Sequence, residues 1–418
     1  MGTADVDELV APDVKEQLID LYFEWEQPWH HFVDERLFRD SLLSYGCYSS
    51  PLLLLCVLAV GSRYSDRLEV RSDPNDPNTA GRIFLEPAET LLRSDIKSPS
   101  ITTIQSLGIL GIYYVVGAYI SFFQFLHLAN FFLKSIGSDN LGWLHFGMAN
   151  RLLIDLGFNL DSTVLTGIGS LEKEEVQLRR QVYWSLYCND KLWASYTGRV
   201  CTMLDSQGAV PLPTTPLSNE MDSGGASALS RSLSHLLRAL ATHCQILERI
   251  LMNLYAPKRL ALAAEKRGFF ESCMFTLKGW YYSLPKELKI NTAMRTHDGS
   301  PSPHAYIINM VYHTSIILLA KPFLSYGERN APKFAVPQPG ENDDFPQRAS
   351  AVCLEAAGEI CRLAEGYREA FHSFRRSPLT ATHCTLTAAL VILFVRHENV
   401  HSTALQTFTD FGCCMKTV

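Results

Sequence analysis

The chain has 418 residues, 47% of them hydrophobic and 11% aromatic, enough to bury a large core and too many for a mainly disordered polymer. Only 19% are charged, 37 Lys and Arg stand against 43 Asp and Glu, and the formal charge is -6, which disfavours a chain built chiefly to neutralise phosphate. Eleven cysteines, an odd number, lie mostly in apolar stretches such as Leu52 to Val60 and read as reduced thiols of an intracellular protein. The start, MGTADVDELV, shows no secretory signal. Val6 stands where a myristoylation motif needs Ser or Thr, and Cys414 lies one residue too far from the end for prenylation.

In chain order, Val14, Leu18, Leu21, Tyr22 and Trp25 share one helical face after Pro12 and Asp13, predicting a first helix. Pro51 opens a second, nearly all-apolar one through Gly61, and the Asp, Pro and Asn cluster from Ser72 to Asn78 predicts a loop. From Ser98 to Leu133 no residue is charged, and LGILGIYYVVGAYISFF is long enough for one bilayer crossing. Gln105, Gln124, His127 and Asn130 interrupt it and no Lys or Arg cluster marks a flank, so a buried helix is the expectation and a membrane-associated helical protein the alternative. Helical periods follow at Glu175 to Tyr196, Ser230 to Tyr255, Ala261 to Tyr282, His304 to Leu319, Ala349 to Phe374 and Thr380 to Val395. Strand signals are sparse. The expected fold is all-α, a single large multi-helix domain over 14–418 with no sheet, behind a tail of residues 1–13. Its internal loops fall near 214–228 and 325–347, with any boundary near 214–230.

Enzymatic motifs are few. His397, Glu398 and His401 fit HExxH, which on a helix sets two imidazoles on one face for zinc with Glu398 as base. None of the 17 residues after His401 is His or Glu, so a zinc hydrolase is the weaker alternative. Ser94 to Lys97 fits SxxK and Ser138 to Asn140 spells SDN, but Lys416, Thr417 and Val418 lack the Gly of KTG. Adjacent His30 and His31 beside Trp29 suit packing better than a metal, and the Thr-His-Cys triplets at 242–244 and 382–384 have no evident acid. Gly167 and Gly169 form only a GxG. The expectation is no catalytic, cofactor-binding or metal residue and no cofactor.

The most distinctive stretch runs from Ser170 to Pro213. Glu172, Glu174 and Glu175 suit the positive start of a helix, and Glu175 lies four residues before Arg179. Arg179 to Lys191 is aromatic-rich, Gly198 suits a left-handed helix end, VPLP at 210–213 continues extended, and Asp190 can pair with Arg199 across the turn. This stretch resembles the fungal-specific transcription factor domain, the middle homology region of binuclear zinc cluster regulators. The resemblance is carried by Arg179, Arg180, Trp184 to Tyr187, Asp190, Gly198, Arg199 and Val210 to Pro213, including Pro211 and Pro213. LIDLYFEWEQPWHHFVDERLF (18–38), GMANRLLIDLGFNLD (147–161) and VYHTSIILLAKPFL (311–324) agree with it, nearest the nitrogen assimilation factor type.

The chain departs from that pattern at Lys191 and Lys321, where the family has Arg, and at Val200, where it has Pro. No CxxC occurs, so the cysteines that hold two zinc ions and place a helix in the major groove are missing from this sequence. The agreement also lapses at AYISFFQFLHLANFFLK (118–134), whose Phe-rich composition suits a retained intron. The resemblance implies a nuclear, non-enzymatic transcription regulator, pathway-specific for nitrogen or a metabolite gene cluster. Its implied partners are transcription machinery or regulatory proteins, a small-molecule inducer, a second copy in a homodimer, and DNA only through a missing or separate zinc-cluster domain, with no membrane.

Overall fold

The structure, a computed structural model, describes residues 6, 8–126, 136–161, 163, 172–213, 228–290, 301–324 and 344–397. These group into two compact units: residues 1–193 with 201–241, and residues 194–200 with 242–418. Among the described residues there is no strand, only an isolated bridge between Arg71 and Ala80, and the fold is all-α as predicted.

In the first unit Val6 is fully buried ahead of α1 (Pro12–Leu21), which opens on Pro12 and buries Val14, Leu18 and Ile19. The helical face predicted from Val14 to Trp25 does not continue as one regular helix. The chain widens into a π-turn at Tyr22–Glu26, closes α2 (Gln27–His30), turns through a left-handed His31 with φ 54°, and restarts as α3 (Glu35–Ser44). Gln27 makes the break affordable in hydrogen bonds: its amide accepts from the Val33 N–H at 3.0 Å and donates to the Val33 carbonyl. Asp34 then caps α3, accepting from Leu37 N at 2.9 Å.

At the centre of this unit is α4 (Pro51–Gly61), started by the Ser50 hydroxyl, which accepts from Leu53 N at 3.1 Å. Residues 52–61 are all buried, as befits a helix apolar on every side. Packed on it are α1, α5 (Arg82–Asp95) and α6 (Ile101–Leu126); α6 in turn lies along α7 (Ile136–Asp155). The first turns of α6 bury Ile104, Leu107, Ile109 and Leu110, and Gln105 donates to the Phe32 carbonyl at 2.9 Å. Among the described residues no helix is long and apolar enough to cross a membrane. Residues 127–134 of the apolar insert lie outside the described residues, while 118–126 continue the α6 backbone.

Two helices, α8 (Lys173–Thr197) and α9 (Ala228–Ile250), contribute residues to both units. The second unit continues through a π-turn at Leu251–Tyr255, then α10 (Ala263–Ser283), α11 (Pro303–Ala320), α12 (Phe345–Phe371) and α13 (Leu379–His397). Its centre is α11, buried along nearly its whole length, with α10, α12 and α13 against it. Ser302 caps that helix ahead of Pro303, accepting from Ala305 N at 3.3 Å.

Candidate functional site

Apart from Gly198 and Arg199, which count with the second unit, the residues predicted as a signature lie on α8 and its exit chain in the first unit. Lys191 sits fully buried, a position a cation holds only when paired and hydrogen-bonded. Its ammonium lies 3.0 Å from Asp190 Oδ2, 4.0 Å above the Tyr187 ring, and also donates to the Met203 carbonyl. Asp190 uses its remaining lone pairs on the chain after the helix. It accepts from Thr202 N at 3.0 Å, from Met203 N at 3.1 Å and from the Thr202 hydroxyl. That hydroxyl also accepts from the Asn150 amide of α7 at 3.1 Å. Gly198 between them has φ 68°, the left-handed turn that reverses the chain. The exit loop is held to the helix end by Thr202, Met203 and Lys191.

Further along, the loop lies flat on the helix. Trp184 donates from Nε1 to the Pro211 carbonyl at 2.8 Å, and Arg238 of α9 donates to the Pro213 carbonyl at 2.9 Å. A Cβ on Gly208 would stand 1.9 Å from the Tyr183 hydroxyl, so only glycine fits there. The paired arginines tie α8 to the chain after α7. Arg180 donates to Asp161 at 3.1 Å; Arg179 pairs with Glu175 at 2.8 Å and covers the Phe158 ring at 4.6 Å. Bonds from the Thr163 backbone and hydroxyl, then Arg180, hold the Asp161 carboxyl below its ordinary range.

The opposite side of α8 meets a buried polar knot that the sequence did not predict. Gln181 and Ser185 both donate to the carbonyl of His31, at 2.9 and 2.8 Å. His30 Nδ1 lies 2.7 Å from Asn189 Oδ1 and its Nε2 2.9 Å from Glu26, whose other oxygen accepts from the Tyr64 hydroxyl. Burial pushes the Glu26 carboxyl up, but the bonds from His30 and Tyr64 outweigh it and leave the group below its ordinary value. The sequence signal was there as EWEQPWHH, polar residues recurring on a helix otherwise filled with aromatics.

Nothing in these clusters is arranged for catalysis. The polar contacts just described brace helices and the chain segments beside them, and among the described residues no group of three His, Cys, Asp or Glu could hold a metal ion. His397 ends α13, and Glu398 and His401 lie outside the described residues, as do Gly167 and Gly169. Ser94 of the SxxK match is exposed and donates to the Leu91 carbonyl of its own helix at 2.8 Å. His243 and His383 of the two triplets are buried in the second unit. His243 bonds Ser315 at 2.8 Å and His383 stacks on Tyr196 at 4.0 Å. Burial lowers both imidazoles to about 3.

The chain matches the family described as fungal specific transcription factor domain over residues 19–260. It is 27% identical to the nitrogen assimilation transcription factor nirA of Emericella nidulans, covering 85% of this chain and 37% of that protein. It is 25% identical to the nitrogen assimilation transcription factor nit-4 of Neurospora crassa, covering 86% of this chain and 31% of that one. A transcriptional regulatory protein of Schizosaccharomyces pombe is 25% identical over 96% of this chain and 59% of its own length. The chain thus spans about a third of the two nitrogen regulators. No solved structure matches it. The family and these relatives are transcription regulators, not enzymes. With the family match extending over more than half of the chain and taking in the buried signature of α8, this protein belongs to the fungal specific transcription factor domain family.

Proposed function

We propose that the chain is the regulatory body of a nuclear, pathway-specific transcription regulator, and that contact with DNA is made by a zinc-cluster region outside this sequence. One observation carries the reading. Of the signature residues Arg179, Arg180, Trp184, Asp190, Gly198, Arg199, Pro211 and Pro213, the bonds of Asp190 and of Trp184 to the Pro211 carbonyl join α8 to its exit loop, and that of Arg180 joins it to the chain after α7, which supports a structural role for the set. Their role is to hold a helical body in one shape, with no reacting group. Control of nitrogen or metabolite genes is supported by the names of the two nitrogen factors alone, and fold-level likeness transfers such detail imperfectly. Transcription proteins or an inducer would be the ligands of such a body, since packed helices offer grooves and pockets between them.

The test is the transcript, read from its 5′ end. An upstream in-frame exon with six cysteines at cluster spacing is the expected result; a transcript that begins at the Met1 codon would overturn the DNA-binding part of the proposal. The same read crosses the codons for 118–134, where loss of that segment in spliced transcripts is expected if it is an intron.

A further inference from the structure

The brace at the end of α8 has an exposed member. The Asp190 and Lys191 side chains are 8% and 0% exposed, and Asn150 and Met203 are buried, whereas Thr202 faces solvent. Yet its hydroxyl does the joining. It donates to Asp190 Oδ1 and accepts from the Asn150 amide at 3.1 Å, so one oxygen links α8 to α7. Residues 199–204, which carry it, lie outside any helix, and Val200 among them is 53% exposed.

An arginine three residues before a serine or threonine occurs twice in the sequence, at Arg231 with Ser234 and at Arg199 with Thr202. Ser234 lies inside α9, where helical backbone denies it an extended form. Thr202 does not. That spacing is what the acidic cleft of an arginine-directed protein kinase reads, because a carboxylate takes a guanidinium in a fixed two-bond geometry and the acceptor then follows in extended chain.

We propose that Thr202 is a phosphorylation site for an arginine-directed serine/threonine kinase, and that the phosphate unlatches the exit loop from α8. Thr202 Oγ1 attacks the γ-phosphorus of a nucleoside triphosphate. The new O–P bond forms as the bond to the leaving nucleoside diphosphate breaks, and the hydroxyl proton passes to the kinase's catalytic carboxylate. The ester oxygen then has no proton to give Asp190, and a charge of about −1.5 to −2 stands beside that carboxylate. Repulsion replaces a hydrogen bond. Lys191 does not relieve it: the ammonium is already held by Asp190, the Met203 carbonyl and the Tyr187 ring, and an exposed dianion reaches that buried position only by giving up its water. Since the Thr202 and Met203 N–H groups donate to the same carboxylate, these bonds weaken together. In the closed loop the hydroxyl is engaged, so the kinase takes the chain when the loop lifts, and the phosphate keeps it lifted.

The test incubates the purified whole chain with ATP and a kinase whose peptide substrates require arginine at that spacing, and maps phosphate by mass spectrometry. Phosphate on residue 202 is expected in the wild-type and Thr202→Ser chains, and a drop of at least about tenfold there in Arg199→Gln of matched circular dichroism. Amide exchange reads the consequence. The phosphorylated chain is expected to lose at least about tenfold in protection at Thr202 and Met203 while α11 is unchanged, and Thr202→Ala, which loses the hydroxyl without gaining charge, is expected to lose less. A wild-type chain without phosphate on Thr202, or one modified no better than Arg199→Gln, would overturn the site. Phosphate on Thr202 with both amides as protected as before would overturn the unlatching.

Discussion

The two units solve the same packing problem with different chemistry. Each is centred on a helix buried nearly all round, α4 in the first and α11 in the second. In the first unit buried polar and charged groups hold a specific geometry: Asp190 with Lys191, Glu26 with His30, and Gln27 bridging Val33. Around α11 the ties are mainly aromatic and neutral. Tyr306, Tyr367, Phe371 and Phe374 form one ring cluster, Phe270, Phe323 and Phe345 another, and the imidazoles are held uncharged by burial. The difference teaches where a unique shape is enforced. Buried polar partners tolerate one geometry because an unsatisfied group is expensive, whereas aromatic faces slide at lower cost.

The largest expected effect breaks the charged brace. Asp190→Ala strands a fully buried ammonium and the Thr202 and Met203 N–H groups, and is expected to cost about 3–5 kcal/mol in chemical denaturation. Replacing both charges, as Asp190→Asn with Lys191→Met, is expected to recover part of that loss, because no unpaired ion remains. A loss below about 1 kcal/mol for Asp190→Ala would show that the brace is ornamental.

Acid separates the units next. His243 and His383 titrate near 3 and His313 near 4 in the folded second unit, all through burial, against about 6.5 when unfolded. Folded imidazoles with lowered pKa bind fewer protons than the unfolded chain, so stability is intact above pH 6.5 and falls as pH drops toward the folded values. At pH 5 each of these histidines is expected to cost about 2 kcal/mol, read as lower amide protection factors in α9, α11 and α13 than at pH 7 once the intrinsic exchange rate at each pH is divided out. In the first unit His145 is also lowered by burial, but the Glu26 carboxyl lies below its ordinary value and its contribution is lost only below about pH 4.5. His243→Phe should delay the acid loss; an unchanged profile would contradict the account.

Gly208→Ala sharpens the comparison at the loop. The new methyl would meet the Tyr183 hydroxyl at 1.9 Å, with an expected cost of about 1–3 kcal/mol, measurable as a lower melting temperature. Smallest of all, Arg179→Ala removes a partly exposed ion pair and a ring contact, and less than about 1 kcal/mol is expected.

Much of this was legible from residue order. The apolar run from Leu52 to Val60 announced a central helix, the six longer periods fall on α8 to α13, and Gly198 signalled its own left-handed turn. The break at His31 was not legible, because the residues that stabilise it, Gln181 and Ser185, lie 150 and 154 positions away. Nor was α5, whose interior Pro87 reads as a helix breaker although the helix runs from Arg82 to Asp95. In the brace, Asp190 stood out in the sequence, but Thr202 and Met203 did not, since a loop backbone carries no side-chain signal. The burial of Lys191 was hidden for the same reason: its compensation comes from a carbonyl and a ring that only folding brings together.

In the proposed function this braced helical body regulates transcription once it is brought to a promoter. The most direct measurement fuses the whole chain to an unrelated DNA-binding domain and reads a reporter in fungal cells, with the Asp190→Ala chain at matched abundance alongside. The account predicts that the wild-type fusion changes reporter output and that Asp190→Ala loses the effect. A stable, nuclear wild-type fusion that leaves the reporter unchanged under every nitrogen source tried would contradict it.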